Sequence, residues 1–224
     1  MNTRPYRSAG WATILSGLLS IATLLTLILF FWLEAGSKEV HLWGPLSDIC
    51  PIIQMVLLLV VARAVHRIQQ LRAPGLSLTA AIVGAAGMLG VILLQALLRL
   101  QIIQFAQEVG PLTTVTGLVG VWLILVNYLG RRQANLPSPL AWLGMAVGAA
   151  FVLEPVVLFA AGGAEYWRAF MSNYLLLAAG AIVFLVVYIG FPIWAIWLGR
   201  VLLTASPGEG TLPSRRLFLD RGAS

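Results

Sequence analysis

Long apolar runs broken by short polar ones are the dominant pattern of this chain. Six runs reach the length at which a helix, at ~1.5 Å per residue, crosses ~30 Å of hydrocarbon with about 20 residues. They fall at about Trp11–Leu33, Leu46–Val65, Leu78–Gln101, Leu112–Leu129, Leu140–Ala161 and Tyr174–Leu198. The pattern predicts an all-α, six-helix transmembrane bundle over residues 1–204, followed by a mobile tail over 205–224. The first run is too long for the apolar core of a cleavable signal, and Glu34 with Gly36-Ser37-Lys38 makes a poor cleavage site, so it is expected to remain as an anchor.

Turn chemistry refines the ends. Span two is preceded by Gly44-Pro45-Leu46-Ser47-Asp48 and span four by Gly110-Pro111-Leu112-Thr113. Proline near a helix start, with small polar residues close by, is an N-terminal signal. The two similar starts fit a duplicated hairpin and shared turn chemistry equally well. If Asp48 is the N-cap of span two, Pro51 falls in the first turn, where a missing amide costs little; if the helix begins at Pro45, Pro51 is expected to kink it. Span six runs through Gly180, Gly190 and Pro192, with a bend expected near the last two.

Charge sets the expected orientation. Arg4 and Arg7 precede span one; Arg63, Arg67 and Arg72 end span two; Arg131 and Arg132 separate spans four and five; Arg200, Arg215, Arg216 and Arg221 follow span six. These eleven are most of the 14 basic residues, and all lie on one side. Lys38, Arg168, Glu34, Glu39, Glu108 and Glu165 lie on the other, with Arg99 in or near span three. The positive-inside rule then places both termini in the cytoplasm and the protein in the cell inner (plasma) membrane. Tryptophans agree: Trp11, Trp142, Trp194 and Trp197 read as a belt at the basic ends, Trp32, Trp43 and Trp167 as one at the opposite ends, and Trp122 alone as deep.

Composition supports lipid as the solvent: 60% of the 224 residues are hydrophobic and 10% charged, against roughly 25% charged in soluble domains. The net charge of +6 is scattered over four segments, which argues against nucleic acid as a partner. Attraction to anionic headgroups of the lipid bilayer follows from it. A single cysteine, Cys50, excludes an internal disulfide and CxxC redox chemistry.

Glycines and hydroxyls read as packing devices. Gly84, Gly87 and Gly90 in span three, and Gly144 and Gly148 in span five, let helix backbones approach closely, within the bundle more than between copies. Ser16, Ser20, Thr23 and Thr26 share one side of span one and are expected to bond preceding carbonyls or a neighbouring helix.

Candidate binding residues are the polar groups in the spans: Glu154, Arg99, Gln95, Asp48 and Gln54. Glu154 has an apolar run on each side; such a carboxyl either marks an ion or proton path or pins helices together. Arg99 either snorkels to the boundary or, with a later start of span three, lies inside and meets Glu154 at equal depth. Gln95 is one turn below Arg99, while Gln101, Gln104 and Glu108 read as a wet stripe beyond the hydrocarbon. Asp48 fits the exposed amides of a helix N-terminus, and Gln54 an interhelical hydrogen bond. The expected orientation puts all five in the outer half; the inner half has no comparable cluster, with Asn127 near its boundary, so a polar pocket opening outward is expected.

Several chemistries lack their residues. There is no HExxH, and His41 and His66 lie at opposite ends of span two, so neither a metal site nor bis-histidine haem can be assembled. The lone Lys38 is outside the spans, which excludes a retinal Schiff base, and no serine–histidine pair is expected inside the bundle. A carboxylate-only enzyme would need a second carboxylate in a span, and Asp48 is the one that qualifies. Catalytic residues, metals and cofactors are therefore expected to be none.

Three further segments, Ala62–Gln70 (ARAVHRIQQ), Leu136–Gly144 (LPSPLAWLG) and Pro192–Arg200 (PIWAIWLGR), together with Gly44–Asp48, resemble small bacterial multi-span membrane proteins of unknown function. The resemblance implies about six spans and no particular activity. The expected function is a non-enzymatic membrane protein whose outward-facing pocket binds or passes a small solute or a proton. Its alternative is a structural or regulatory subunit acting on another membrane protein, with Glu154 and Arg99 holding the bundle together.

Overall fold

Each apolar run forms a helix, and several begin earlier than their apolar cores. The structure, a computed structural model, describes residues 4–34, 42–160 and 174–204. The segments holding Lys38, Glu39, His41, Glu165, Trp167 and Arg168, and the expected tail 205–224, lie outside the described residues. The helices are α1 (Arg4–Leu29, extended by a π-helical turn Phe30–Glu34), α2 (Trp43–Gln69), α3 (Pro74–Arg99), α4 (Phe105–Arg132), α5 (Ser138–Ala160) and α6 (Tyr174–Thr204). All six are long and apolar enough to cross a membrane, the build of a multi-pass membrane protein.

Local chemistry accounts for the extensions. Pro74 occupies the first turn of α3, where it gives up no helical hydrogen bond. The side chain of Gln107 returns to the Gln104 amide at 2.9 Å, so α4 starts at Phe105 and Pro111 falls inside it. Gln101 and Ala134 take left-handed conformations (φ 58° and 55°) just past α3 and α4, and so stop them. In α2 the helix begins at Trp43, not at Asp48 or Pro45, because another group caps it. Glu34, buried at the end of α1, accepts the amides of Leu42, Trp43 (2.9 Å) and Gly44 (3.1 Å). Asp48 is thus not the N-cap, and Pro51 sits inside the helix. Neither of the two expected starts of α2 is adopted. The bend expected in α6 takes the form of a π-helical turn, Val186–Gly190, directly before Phe191 and Pro192. A wider turn there absorbs the proline's missing amide.

Successive helices pack antiparallel, and α6 closes on α1, giving a ring in chain order: α1–α2–α3–α4–α5–α6–α1. One end carries Arg7, Arg63, Arg67, Arg72, Arg131, Arg132 and Arg200 and is the basic end; the other carries Glu34, Asp48, Glu108 and Glu154 and is the acidic end. Helix α4 also touches α2 across the ring, whereas α3 and α5 are not packing neighbours.

Glycines set the close contacts. A Cβ on Gly87 would lie 2.8 Å from the Val115 carbonyl, and one on Gly148 would lie 2.6 Å from that of Gly120, so both seams run against α4. A third seam, Gly10 against Gly199, closes the ring. The centre holds Leu58, Met88, Trp122, Leu123, Phe191 and Trp194, all essentially buried. Trp194 is therefore not in the interfacial belt: it meets Trp122 edge-to-face at 6.4 Å, while Trp197 stays partly exposed. Leu18, Leu25, Ile82, Leu93, Ile182 and Ile193 face outward, as lipid contact requires. On α1, Thr23 and Thr26 bond the carbonyls of Leu19 and Thr23, as expected, while the buried Ser16 hydroxyl has no partner among the described residues.

Candidate functional site

The acidic end of α2, α3 and α4 gathers the polar side chains. Two of these helices carry one local pattern, an acid followed three residues later by proline: Asp48–Pro51 in α2 and Glu108–Pro111 in α4. Proline has no amide to give the carbonyl four residues before it, so Ser47 and Gln107 lose their usual helical donors. Each acid thus sits beside a backbone oxygen with spare acceptor capacity.

Helix register brings these turns level. Gly84 packs on Trp122 and Gly90 on Val115; carrying that register along α3 and α4 sets Gln95 opposite Gly110, roughly 3 Å along the axis from Glu108. The hydrogen bond between His66 Nδ1 and Ser77 Oγ (2.8 Å) fixes α2 against α3 and sets Asp48 level with Gln95. Asp48, Gln95 and Glu108 therefore lie near one level between three helices, with Arg99 one turn further toward the acidic end.

Burial differs sharply within the group. Glu108 is 1% exposed, and its Oε1 has no hydrogen-bond partner among the described residues. Gln95 is 7% exposed, and its Oε1 is likewise unpartnered. Gln54, six residues deeper than Asp48, is buried and makes no side-chain hydrogen bond to a described residue, so the expected interhelical bond is not formed. Asp48 is half-buried, and Arg99, the last residue of α3, is exposed, which fits the snorkelling alternative. The expected wet stripe splits: Gln101 and Gln104 are exposed, but Glu108 is taken inside by the early start of α4. The signal in the sequence that points to it is the acid–proline spacing shared with Asp48.

Glu154 lies elsewhere. It is half-buried on α5, its Oε2 3.4 Å from Thr116 Oγ1 of α4, with Tyr188 of α6 near enough to feel its charge. The hydroxyl hydrogen of Thr116 has a nearer acceptor, the Thr113 carbonyl at 2.8 Å. The meeting of Glu154 and Arg99 is not found: α4 stands between their helices.

The basic end also holds buried polar groups, Gln69 and Gln133 besides Asn127, against the expectation of no comparable cluster there. Gln69 donates to the Val126 carbonyl (2.7 Å), Arg72 to that of Gln133 (2.7 Å), and Gln133 to that of Gln69 (3.4 Å). The His66–Ser77 contact is a serine–histidine pair that the sequence reading lacked. Ser77 is buried and its hydroxyl also faces the His66 carbonyl at 3.3 Å, so the pair ties the α2–α3 hairpin together. These groups satisfy backbone acceptors, although the buried Gln69 Oε1, like Gln95 Oε1 and Glu108 Oε1 at the acidic end, has no partner among the described residues.

Among the described residues, no three or more His, Cys, Asp or Glu side chains group together as metal ligands. Asp48 and Glu108 are two, with amide and backbone oxygens around them. No protein family, curated protein or solved structure matches the chain.

Proposed function

We propose that the protein is a non-enzymatic, multi-pass protein of the cell inner membrane, with both termini cytoplasmic, whose outward-facing pocket binds or passes a small solute or a proton. The pocket is the space between α2, α3 and α4 at the acidic end, lined by Asp48, Gln54, Gln95 and Glu108 with Arg99 at its rim. The observation that carries this reading is the buried, unpartnered Oε1 of Glu108. A buried polar atom without a partner costs about 1–3 kcal/mol, more when charged, unless a water, proton or ligand completes it. Ionisable groups in a membrane core mark ion, proton or substrate sites for the same reason.

The test is accessibility. In a Cys50→Ser background, a cysteine at Gln95 should react with a membrane-impermeant thiol reagent added outside intact cells. A cysteine at Leu71, exposed at the basic end, should react only after permeabilisation. A Gln95→Cys protein that resists the reagent from both faces would remove the pocket.

Glu154 supports the alternative. Its contact with Thr116 joins α5 to α4 away from the pocket, the arrangement expected of a residue that holds helices together in a structural or regulatory subunit. Retained reagent access at Gln95 in a Glu154→Gln protein would separate the two roles.

A further inference from the structure

The arginines of the basic end have no carboxylate beside them among the described residues: Glu34, Asp48, Glu108 and Glu154 all lie at the acidic end. Arg72 turns to the Gln133 carbonyl. Arg131, in the last turn of α4, is placed differently. Its guanidinium carbon lies over the ring of Trp142 on α5, 4.5 Å from the centroid.

A boundary arginine that only sought water would extend the other way. Gly144 packs on Asn127, and carrying that register along both helices sets Trp142 level with about Leu129, roughly 3 Å nearer the acidic end than Arg131. Side chains on α4 lean toward its N-terminus, which is at the acidic end. The Arg131 chain thus reaches back toward the hydrocarbon, and the Trp142 face holds the cation there. Trp142 is 55% exposed on the outer side of the bundle, and Tyr128, one turn before Arg131 and Arg132, is exposed as well. Neither arginine makes a hydrogen bond or ion pair with a described residue. A cation fixed at interfacial depth therefore keeps its N–H donors open.

A group that satisfies this cation must accept hydrogen bonds, carry negative charge and sit at the headgroup level. The phosphodiester of an anionic phospholipid does all three. A zwitterionic headgroup brings its own cation and offers Arg131 and Arg132 no net charge. An acidic protein in the water would meet the arginines from beyond the bundle end, not at the depth of the Trp142 face.

The geometry points to a binding site for one anionic phospholipid on the α4–α5 seam. Its phosphate sits on Arg131, with Arg132 as the second cation, and its upper acyl chain lies against Trp142 and Tyr128. The site is at the opposite end from the pocket proposed above and does not depend on it.

The experiment measures thermal unfolding of the full chain in a neutral detergent as phosphatidylglycerol is added, with phosphatidylcholine of the same acyl chains for comparison. A ligand bound by the folded state alone raises the melting temperature with a saturable dependence on its concentration. Phosphatidylglycerol should give such a curve and phosphatidylcholine none. Arg131→Gln should move the midpoint upward about fivefold or more, and Trp142→Leu, which frees the guanidinium, should move it the same way. Arg63→Gln removes the same charge from the basic end of α2 and should leave the midpoint within about twofold. If Arg131→Gln does not fold, Trp142→Leu decides alone, since that side chain is exposed. Equal shifts for Arg131→Gln and Arg63→Gln would reduce the effect to general attraction between charges and overturn the site. So would a midpoint unmoved by Trp142→Leu, a curve that inorganic phosphate reproduces, or equal responses to the two lipids.

Discussion

Trp194 of α6 donates its indole N–H to Asn127 Oδ1 of α4 at 3.0 Å, across the centre of the ring. Both residues are fully buried, and the Asn127 amide nitrogen in turn donates to the Leu123 carbonyl at 2.8 Å. The pair fixes the rotation of α6 against α4, two helices that are not sequence neighbours. Trp194→Phe keeps the ring but strands Asn127 Oδ1, at a cost of about 1–3 kcal/mol. A double-mutant cycle with Asn127→Ala, read by thermal unfolding in detergent, should show coupling of about 1 kcal/mol. Additivity within ~0.3–0.5 kcal/mol would mean the bond carries no stability.

The glycine seams make contrasting predictions. Gly148→Ala places a methyl 2.6 Å from the Gly120 carbonyl, and Gly87→Leu places a larger group on the Val115 and Val119 backbone. Backbone cannot move aside cheaply, so each substitution should cost at least about 1–3 kcal/mol. Gly75, with nothing within 4 Å of an added Cβ, is the control, and Gly75→Ala should stay within about 0.5 kcal/mol of the parent. Equal melting temperatures for all three variants would contradict the seams.

Glu34 gives a third test. Its carboxylate holds the first amides of α2, where the helix dipole also favours negative charge. Glu34→Ala should cost about 1–2 kcal/mol and raise hydrogen exchange at Trp43 and Gly44. Glu34→Gln, which keeps an acceptor, should cost less. Unchanged exchange at these amides in Glu34→Ala would show that the cap is dispensable.

Arg99 and Glu154 sit on helices that are not packing neighbours, so Arg99→Gln and Glu154→Gln should be additive in stability to within ~0.3–0.5 kcal/mol. Glu154→Gln should instead couple with Thr116→Val, because their side chains meet at 3.4 Å. Strong coupling of Arg99 to Glu154, with none to Thr116, would require a different helix order.

The sequence by itself determined what each segment is: six helices, the end of each that carries arginine, and the residues whose polarity is out of place in lipid. Those are local properties, because a stretch of about 20 apolar residues must satisfy its backbone within itself wherever it lies in the bundle. Tertiary structure alone decided which way each helix faces. Lipid and core are equally apolar, so hydrophobic periodicity does not separate the inward side of a membrane helix from its outward one. Hence Trp194 and Trp197 look alike in sequence, although one is buried at the centre and the other partly exposed. Glu108 and Gln104 look like one wet stripe until the early start of α4 and its packing in the ring take Glu108 inside. That Arg99 does not meet Glu154 was likewise set by the ring order, which puts α2 and α4 beside α3 and keeps α5 on the far side of α4.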